Sequence, residues 1–225
     1  FVYPPRFFVR NPTLNNFKNL SVLMGDSWVP ISRYFFNTVL ITALAVLGQL
    51  VVSSLAAYVL EKRRFPGREL IFKLVVLSLM FSTTVTAIPS YIIMSRIGWV
   101  DTLASLIVPA IASSLGLFLM KQFMCNIPDS LLEAARIDGA SELRIFFRIA
   151  MPMVKPAWLT LIIFGFQSMW GMTGGNTIFS EELKPLNYAL NQILAGGVAR
   201  AGAGSAVSLI LIIPPIVVFI VSQGN

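Results

Sequence analysis

The sequence predicts an all-α protein, a polytopic bundle of membrane-spanning helices, on two observations. First, 56% of the 225 residues are hydrophobic and only 12% are charged, with a mean hydropathy of +0.78, whereas soluble domains are about a quarter charged. Second, the charged residues leave five long charge-free runs, at 34–60, 74–95, 102–120, 156–180 and 201–225. A helix needs about 20 apolar residues to cross the hydrocarbon core, so five spans are visible in the chain.

The predicted elements form a single transmembrane domain over 1–225. They are an external segment at 1–33, spans one to three at 34–125, a cytoplasmic loop at 126–155, and spans four and five at 156–225 with an external loop at 175–200. Aromatic residues at 34–36 mark entry to the first span. The second span, at about 70–95, is predicted to be interrupted at Pro89. It carries the polar cluster Ser82, Thr83, Thr84 and Thr86, whose hydroxyls can satisfy backbone groups freed by a kink.

The distribution of Lys and Arg gives the orientation. The loops after spans one and three hold five basic residues each, against one and two in the loops after spans two and four, so the first pair is predicted to be cytoplasmic. The basic N-terminal segment then lies outside, against this rule. A sixth helix upstream of Phe1 would explain the exception, and we expect sequence to be missing both before Phe1 and after Asn225. The predicted location is the cell membrane, crossed several times.

The composition excludes several functions. The sequence has no histidine and a single cysteine, Cys125, which excludes histidine-based catalysis, an intrachain disulfide and a metal site made of several cysteines. It has no G-x-x-x-x-G-K-[ST] loop for nucleotide phosphates. The net charge of +7 reflects basic residues beside hydrophobic runs, which is typical of membrane topology and not of nucleic-acid binding. We therefore expect neither an enzyme nor a cofactor site in this chain.

The loop at 126–155 has the pattern of a folded helix-turn-helix. Ser130 and Glu133 have the spacing of a capping box, which predicts a helix over 131–138. Gly139 is placed to end that helix in a left-handed cap. A second amphipathic helix follows and is predicted to break at Pro152 and Pro156 before span four. Such a compact amphipathic element suits docking into a groove of a soluble partner.

The residues of this loop resemble a family signature. Glu133-Ala134-Ala135, Gly139 and Ile149-Ala150-Met151-Pro152 match the E-A-A-x3-G-x9-I-x-L-P pattern of permease subunits in binding-protein-dependent ATP-binding-cassette importers, with Met151 as the one departure. The flanking residues are similar to the carbohydrate-importer branch, related to the maltose permease family. The further matches are Ala56-Ala57-Tyr58, Ile88-Pro89-Ser90-Tyr91, Gly98-Trp99-Val100-Asp101-Thr102 and Trp170.

The resemblance implies an importer assembled from several chains. Its expected partners are a second permease subunit, two cytoplasmic ATPase subunits that bind ATP and Mg²⁺, an external solute-binding protein and the lipid bilayer. The signature helix would dock into the ATPase, with Glu133 meeting a polar group and Gly139 permitting the turn. The residues that we expect to take part in this coupling are Glu133, Ala134, Ala135, Asp138, Gly139, Arg144 and Pro152.

Polar residues inside the spans are the candidates for a solute pathway. They are Asn37, Gln49, Thr84, Gln167 and Trp170, with Ser53, Ser82, Thr83 and Thr86 beside them. The alternative for each is a hydrogen bond between helices. In the loop at 175–200, Asn176, Glu181, Glu182, Lys184 and Tyr188 are candidates for contact with the delivery protein. No charged residue lies within the five charge-free runs that define the predicted spans, which argues against a proton-coupled carrier.

Taken with the resemblance, these patterns predict half of the translocation pathway for a sugar or oligosaccharide. Three alternatives remain open at this point. One is an importer of the same architecture for a non-sugar solute such as a polyol phosphate, and another is a membrane scaffold that transports nothing. The third, a membrane-embedded hydrolase or transferase, would need a catalytic constellation that the sequence does not display.

Overall fold

The computed structural model describes residues 14–25, 29–195 and 201–223, and its regular elements in these ranges are helices. In chain order they are α1 (Asn15–Gly25), α2 (Ile31–Lys62), α3 (Arg68–Ser78), α4 (Thr83–Arg96), α5 (Ala104–Ile111), α6 (Ser114–Met124), α7 (Asp129–Ile137), α8 (Glu142–Ile145), a π-helical turn (Phe146–Ala150), α9 (Met151–Met153), α10 (Lys155–Trp170), a short 3-10 turn (Glu181–Leu183), α11 (Leu186–Leu194) and α12 (Ala201–Gln223).

Helix α2 is the centre of the bundle, and α5, α6 and α10 pack against it. Glycines permit this close packing. A Cβ at Gly116 of α6 would lie 2.7 Å from Ser53 Oγ, and a Cβ at Gly165 of α10 would lie 2.9 Å from Gln49 Oε1. Because these separations are too short for real Cβ atoms, the small residues set the distance between helices, as is common in membrane bundles.

The bundle has two ends, each with its own group of loops. At one end, which we call the basic end, Lys62 forms an ion pair with Asp129 at 2.8 Å, so the loops after α2 and α6 meet. At the other end, which we call the Asp101 end, the Asp101 amide donates to Thr177 O at 2.8 Å and joins the loops after α4 and α10. The two loops predicted to be cytoplasmic therefore lie together, and the two predicted to be external lie together.

Among the described residues, three helical segments are long and apolar enough to cross a membrane, namely Ile31–Lys62, Ala104–Met124 and Gly202–Ser222. A bent pair, Glu142–Met153 with Lys155–Trp170, makes a fourth if it is one span. The first of these contains the predicted span at 34–60. The prediction of several apolar helices is thus confirmed. The count of five, and of six with an upstream helix, stays a prediction.

The predicted second span is not one continuous helix. It is divided into α3 and α4 by the residues between Ser78 and Thr83. We expected the interruption at Pro89, but Pro89 lies inside α4. Ser82 instead caps α4, because its side chain accepts a hydrogen bond from the Thr84 amide at 3.3 Å. The polar cluster therefore acts at a helix start, where orphan amides need acceptors.

The predicted loop segments also contain helices. Helix α1 lies within the segment at 1–33, of which residues 1–13 and 26–28 lie outside the described ranges. Helix α11 lies within the loop at 175–200 and buries Leu186, Leu190 and Ile193. These side chains join Leu20 of α1 and Val207 of α12 in one hydrophobic cluster. The segment at 175–195 is accordingly packed onto the bundle as a folded layer at the Asp101 end.

Candidate functional site

The signature residues form an elbow at the basic end, made of α7, α8, the π-helical turn and α9. Its inward side chains, Leu132 of α7 and Ile145 of α8, are 1% and 0% exposed. They pack with Met120 and Met124 of α6 in a hydrophobic cluster that also takes in Ala57. The elbow is therefore fixed to the membrane helices through a buried face.

The opposite face of the elbow is open to solvent. Among the predicted coupling residues, Glu133, Ala134, Asp138, Gly139, Arg144 and Pro152 are exposed and Ala135 is half-buried. Three large apolar side chains are exposed beside them, since Ile137 is 86%, Leu143 65% and Phe147 61% accessible. An exposed apolar patch flanked by charge is typical of an interaction surface.

The start of α7 differs from the prediction. The helix begins at Asp129 after Pro128, and no side-chain hydrogen bond caps it. The capping box of Ser130 and Glu133 is therefore wrong, because Ser130 already lies in the first helical turn. The proline ring holds φ near about −65°, and Pro128, with φ −62° and ψ 131°, is extended at the boundary. Glu133 is left exposed on the middle of the helix.

The end of α7 matches the prediction. Gly139 has φ +78°, the left-handed conformation that glycine adopts without strain. The Ala140 amide donates to Ala135 O at 3.0 Å and the Gly139 amide donates to Arg136 O at 3.0 Å. This pair of bonds is a Schellman cap, which satisfies two carbonyls at the helix end.

Glu142 joins the elbow to α2. Its carboxylate accepts from Tyr58 Oη at 3.2 Å and from Arg136 Nε at 2.9 Å, and it lies 2.7 Å from Arg63 Nη2. The hydrogen bond from Arg136 is the main reason that the pKa of Glu142 lies below its usual value. Sequence reasoning missed this role, because Tyr58 is 84 residues away along the chain and only its inclusion in a family match hinted at it.

Lys62 makes a second connection between α2 and the elbow. Its ammonium group donates to Ile127 O at 2.6 Å and to Asp129 Oδ1 at 2.8 Å. The lysine side chain is only 5% exposed. The hydrogen bond from Lys62 holds the pKa of Asp129 below its usual value. The final turn of α2 thus binds the first turn of α7.

A sharp bend connects the elbow to α10. The helices on either side of Val154 meet at 81°. We expected Pro152 and Pro156 to break the helix, but Pro152 lies inside α9 and Pro156 lies in the first turn of α10, so the break falls between them. Trp158 of α10 reaches back across the bend, since its indole N–H donates to Met151 O at 3.1 Å.

Three of the predicted pathway residues are buried within the bundle. Asn37 is 2% exposed, and its amide donates to Glu182 O at 2.7 Å and to Lys184 O at 3.1 Å. Gln49 is 8% exposed and lies against Gly116 and Gly165. Trp170 is 6% exposed and donates from its indole to Leu211 O at 3.1 Å. These three side chains therefore make packing contacts or hydrogen bonds between elements of this chain.

The other two predicted pathway residues, Thr84 and Gln167, are exposed on the surface of the chain. A cavity of about 980 Å³ opens at the Asp101 end, between α4, the end of α10 and the loop after it, and neither of these two residues is in its lining. Its polar and aromatic lining includes Ser90, Tyr91, Ser168, Thr173, Asn176 and Phe179. Asn176, Lys184 and Tyr188, which we predicted as loop residues for contact with the delivery protein, line this cavity, as do Ser90 and Tyr91 of a family match.

Asp101 holds one wall of that cavity in place. Its carboxylate accepts from the amides of Phe179 and Ser180, at 2.9 and 2.8 Å, and from the Ser180 hydroxyl. Ser105 donates to Thr177 Oγ1 at 3.1 Å and adds a second connection to the same loop. The cavity wall at 177–180 is therefore fixed by residues that follow α4.

Apolar helices long enough to span a bilayer, joined by an elbow with a buried and an exposed face, define a polytopic integral membrane protein. Residues 49–224 match the family model described as "Binding-protein-dependent transport system inner membrane component". The chain belongs to this family, as its signature predicted. The family consists of transport components and not of enzymes.

Relatives and solved structures agree with this assignment. The "sn-glycerol-3-phosphate transport system permease protein UgpE" of Shigella flexneri is 32% identical over 93% of this chain and 76% of its own length, and that of Pectobacterium atrosepticum is 29% identical over 88% and 72%. The structure of a bacterial ABC transporter involved in the import of the acidic polysaccharide alginate is similar with a TM-score of 0.80 at 24% identity, covering 92% of this chain and 78% of that one. A bacterial alginate ABC transporter in complex with alginate pentasaccharide-bound periplasmic protein gives 0.65 at 15% identity, covering 92% and 83%.

Proposed function

We propose that this chain forms half of the pathway of an ATP-driven importer for a sugar or oligosaccharide and that its elbow couples the pathway to separate ATPase subunits. The observation that carries the proposal is the two-sided elbow of a chain in a transport family. One side is buried against α2 and α6, and the other presents Glu133 and Ile137 to solvent. A connector between a motor and a membrane channel needs both sides.

The exposed face is suited to a protein groove. Ala134 leaves room for close approach of a second backbone, Ile137 provides an apolar anchor, and Glu133 and Asp138 provide charge at the margin. Apolar anchors surrounded by polar groups are the usual composition of an interface. The proposed occupant is an ATPase subunit at the cytoplasmic face, with ATP and Mg²⁺ held by that subunit. Arg144 and Pro152 would lie at the edge of this contact.

Movement of the elbow can be transmitted to the cavity through α2 and α10. The ion pairs of Lys62 and Glu142 attach the elbow to α2, and the bend at Val154 attaches it to α10. Both helices run the length of the bundle toward the Asp101 end. To convert a conformational population from 1:99 to 99:1 requires about 5.5 kcal/mol of differential stabilisation. In this proposal the ATP cycle of the partner supplies it through the elbow.

The cavity supports a polyol-like solute. Hydroxyl and amide groups at Ser90, Thr173 and Asn176 are placed with the aromatic rings of Tyr91 and Phe179. Aromatic faces and hydrogen-bonding groups together match a molecule with an apolar ring face and many hydroxyls. One structural neighbour is involved in the import of the acidic polysaccharide alginate, which also favours a saccharide.

A polyol phosphate is the second candidate solute. The relatives named above are permeases of sn-glycerol-3-phosphate transport systems. Titration of labelled oligosaccharides and of sn-glycerol 3-phosphate onto the cognate solute-binding protein would separate the two classes, because the class that binds is the class that is delivered. That binding protein would dock at the Asp101 end, where Asn176 and Glu182 are exposed. A second permease subunit, identical or different, would complete the pathway in the inner membrane.

The test of coupling is Glu133→Ala in the purified complex with its ATPase. We expect the subunit to insert and assemble, because Glu133 is exposed and caps nothing, while solute-stimulated ATP hydrolysis falls about tenfold, the effect of losing about 1.4 kcal/mol of interface energy. The matched control is Glu69→Ala, an exposed carboxylate at the same end outside the elbow, which should leave hydrolysis unchanged. Full activity of Glu133→Ala would refute the coupling role, and hydrolysis without uptake in the wild type would favour the scaffold alternative.

A further inference from the structure

Helix α12 contains two adjacent prolines, Pro214 and Pro215. A proline has no amide proton, so each one removes the donor that an α-helix assigns to the carbonyl four residues earlier. For Pro215 that carbonyl belongs to Leu211. Within a bilayer a carbonyl without a donor is costly, and a neighbouring side chain usually satisfies it.

Trp170 supplies the missing donor. Its indole N–H donates to Leu211 O at 3.1 Å. The ring is held in this orientation by two neighbours, since Phe166 stacks on it with centroids 5.5 Å apart and Phe35 of α2 meets it edge-on at 6.5 Å. A side chain from another helix therefore occupies the place of the amide that Pro215 lacks.

The hydrogen bond from Trp170 to Leu211 O joins the end of α10 to the part of α12 that precedes its two prolines. Trp170 is the last residue of α10, and that helix begins at Lys155, directly after the bend of the elbow. Asn187 of α11 donates to Gly171 O and fixes the same end of α10 from the other side. Helix α10 is thus continuous from the bend of the elbow to Trp170, whose indole N–H takes the place of the amide that Pro215 lacks.

We propose that Trp170 is a positioning residue that transmits movement of α10 to α12. This role rests on the proposed coupling function of the elbow. When the elbow moves with the ATPase, α10 moves with it, and α12 follows because separation would leave Leu211 O without a donor. Trp170 acts through Leu211, and its N–H is engaged there and not directed to solute.

The experiment compares four complexes, purified with their ATPase in lipid nanodiscs, carrying wild-type chain, Trp170→Phe, Pro215→Ala or both changes. Phenylalanine keeps an aromatic ring but lacks the N–H, and alanine at 215 restores the backbone donor. The readout is hydrolysis of Mg-ATP alone. We expect Trp170→Phe to raise this basal rate about threefold to tenfold, the range that hydrogen bonds between membrane helices give, because the motor closes without having to move α12.

The double variant decides the mechanism. Alanine at 215 gives Leu211 O a backbone donor but no bond to α10, so Pro215→Ala alone and the double variant should both show the raised basal rate of Trp170→Phe, to within about twofold. If Trp170 did no more than satisfy Leu211 O, Pro215→Ala alone would leave the basal rate unchanged and would restore the wild-type rate in the double variant. An unchanged basal rate in Trp170→Phe, or a return of the double variant to the wild-type rate, overturns the proposal. If Trp170→Phe fails to assemble, Pro215→Ala alone decides: a raised basal rate supports the proposal and an unchanged one overturns it.

Trp158→Phe is the matched control on the same helix. Its indole also donates to a backbone carbonyl, Met151 O, but that carbonyl is not in α12. We expect any effect of Trp158→Phe to be unaffected by Pro215→Ala. Failure of the coupling function itself is detected separately, as normal solute-stimulated hydrolysis in Glu133→Ala. If the coupling function holds, Glu133→Ala lowers hydrolysis whereas Trp170→Phe raises the basal rate.

Discussion

Asp101 shows how a single side chain can order an entire loop. It has φ +61°, a left-handed conformation that Asp and Asn tolerate better than other residues with a side chain. This conformation directs its carboxylate to the amides of Phe179 and Ser180. The hydroxyl and amide of Ser180, followed by the amide of Phe179, hold the pKa of Asp101 below its usual value.

Asp101 should make the order of its loop dependent on pH. Because its pKa is lowered in the folded state, the stabilisation is present above the unfolded-state pKa and is lost as the pH falls through the folded-state pKa. Hydrogen exchange at the amides of Phe179 and Ser180, corrected for the intrinsic effect of pH, should therefore increase on acidification. Asp101→Asn keeps the left-handed backbone but loses the charge, so its exchange should be faster at neutral pH and nearly independent of acid. Equal protection in both proteins at neutral pH would contradict this role.

Among the elements, the elbow and α2 depend on each other. Glu142 is the shared acceptor for Tyr58, Arg63 and Arg136, so a single carboxylate connects three helices. The side chains of Glu142 and Arg63 are 37% and 48% exposed. Water therefore screens much of the attraction, and the network as a whole contributes only about 1 kcal/mol.

Glu142→Gln should loosen the elbow without unfolding the chain. Glutamine has the same shape but lacks the charge, so we expect about 1 kcal/mol less stability against thermal unfolding and a partial loss of solute-stimulated ATP hydrolysis. Asp129→Asn is the comparison, because Asp129 is 72% exposed and its replacement should destabilise the chain less than Glu142→Gln does. If the two variants behaved alike, Glu142 would not be the main connection.

The elements that the sequence predicted well are those set by local chemistry. The apolar composition of α2 and the glycine after α7 act within a few residues, and both agree with the structure. The capping box failed because Pro128 already defines the helix start before Ser130 is reached. Helix α11 was missed although Leu186, Leu190 and Ile193 recur at helical spacing, which is a local signal within the segment at 175–200. The Glu142 network and the Trp170 bond depend on residues far apart along the chain, and single-sequence periodicity has no access to such contacts.

At the scale of the molecule, the two ends should face opposite sides of the membrane. Cys125 is the only cysteine of the sequence and is exposed at the basic end. A membrane-impermeant maleimide should label it only from the cytoplasmic side, in inside-out vesicles. In a Cys125→Ser background, Asn176→Cys at the Asp101 end should be labelled only from outside, in intact spheroplasts. Labelling of both positions from one side would refute the predicted orientation.

The glycine contacts along α2 limit which parts of the bundle can slide. A methyl group at Gly48 would lie 2.7 Å from Ile111, which ends α5, and Gly116 and Gly165 are similarly tight against α2. Helices interlocked this closely shift as one rigid unit, because sliding by a single residue would force side chains into backbone. Within the described part of the chain, helix α4 makes no such interlock, and its described side chains are almost all exposed. Helix α4 is therefore the helix of this chain that is most free to move relative to its neighbours.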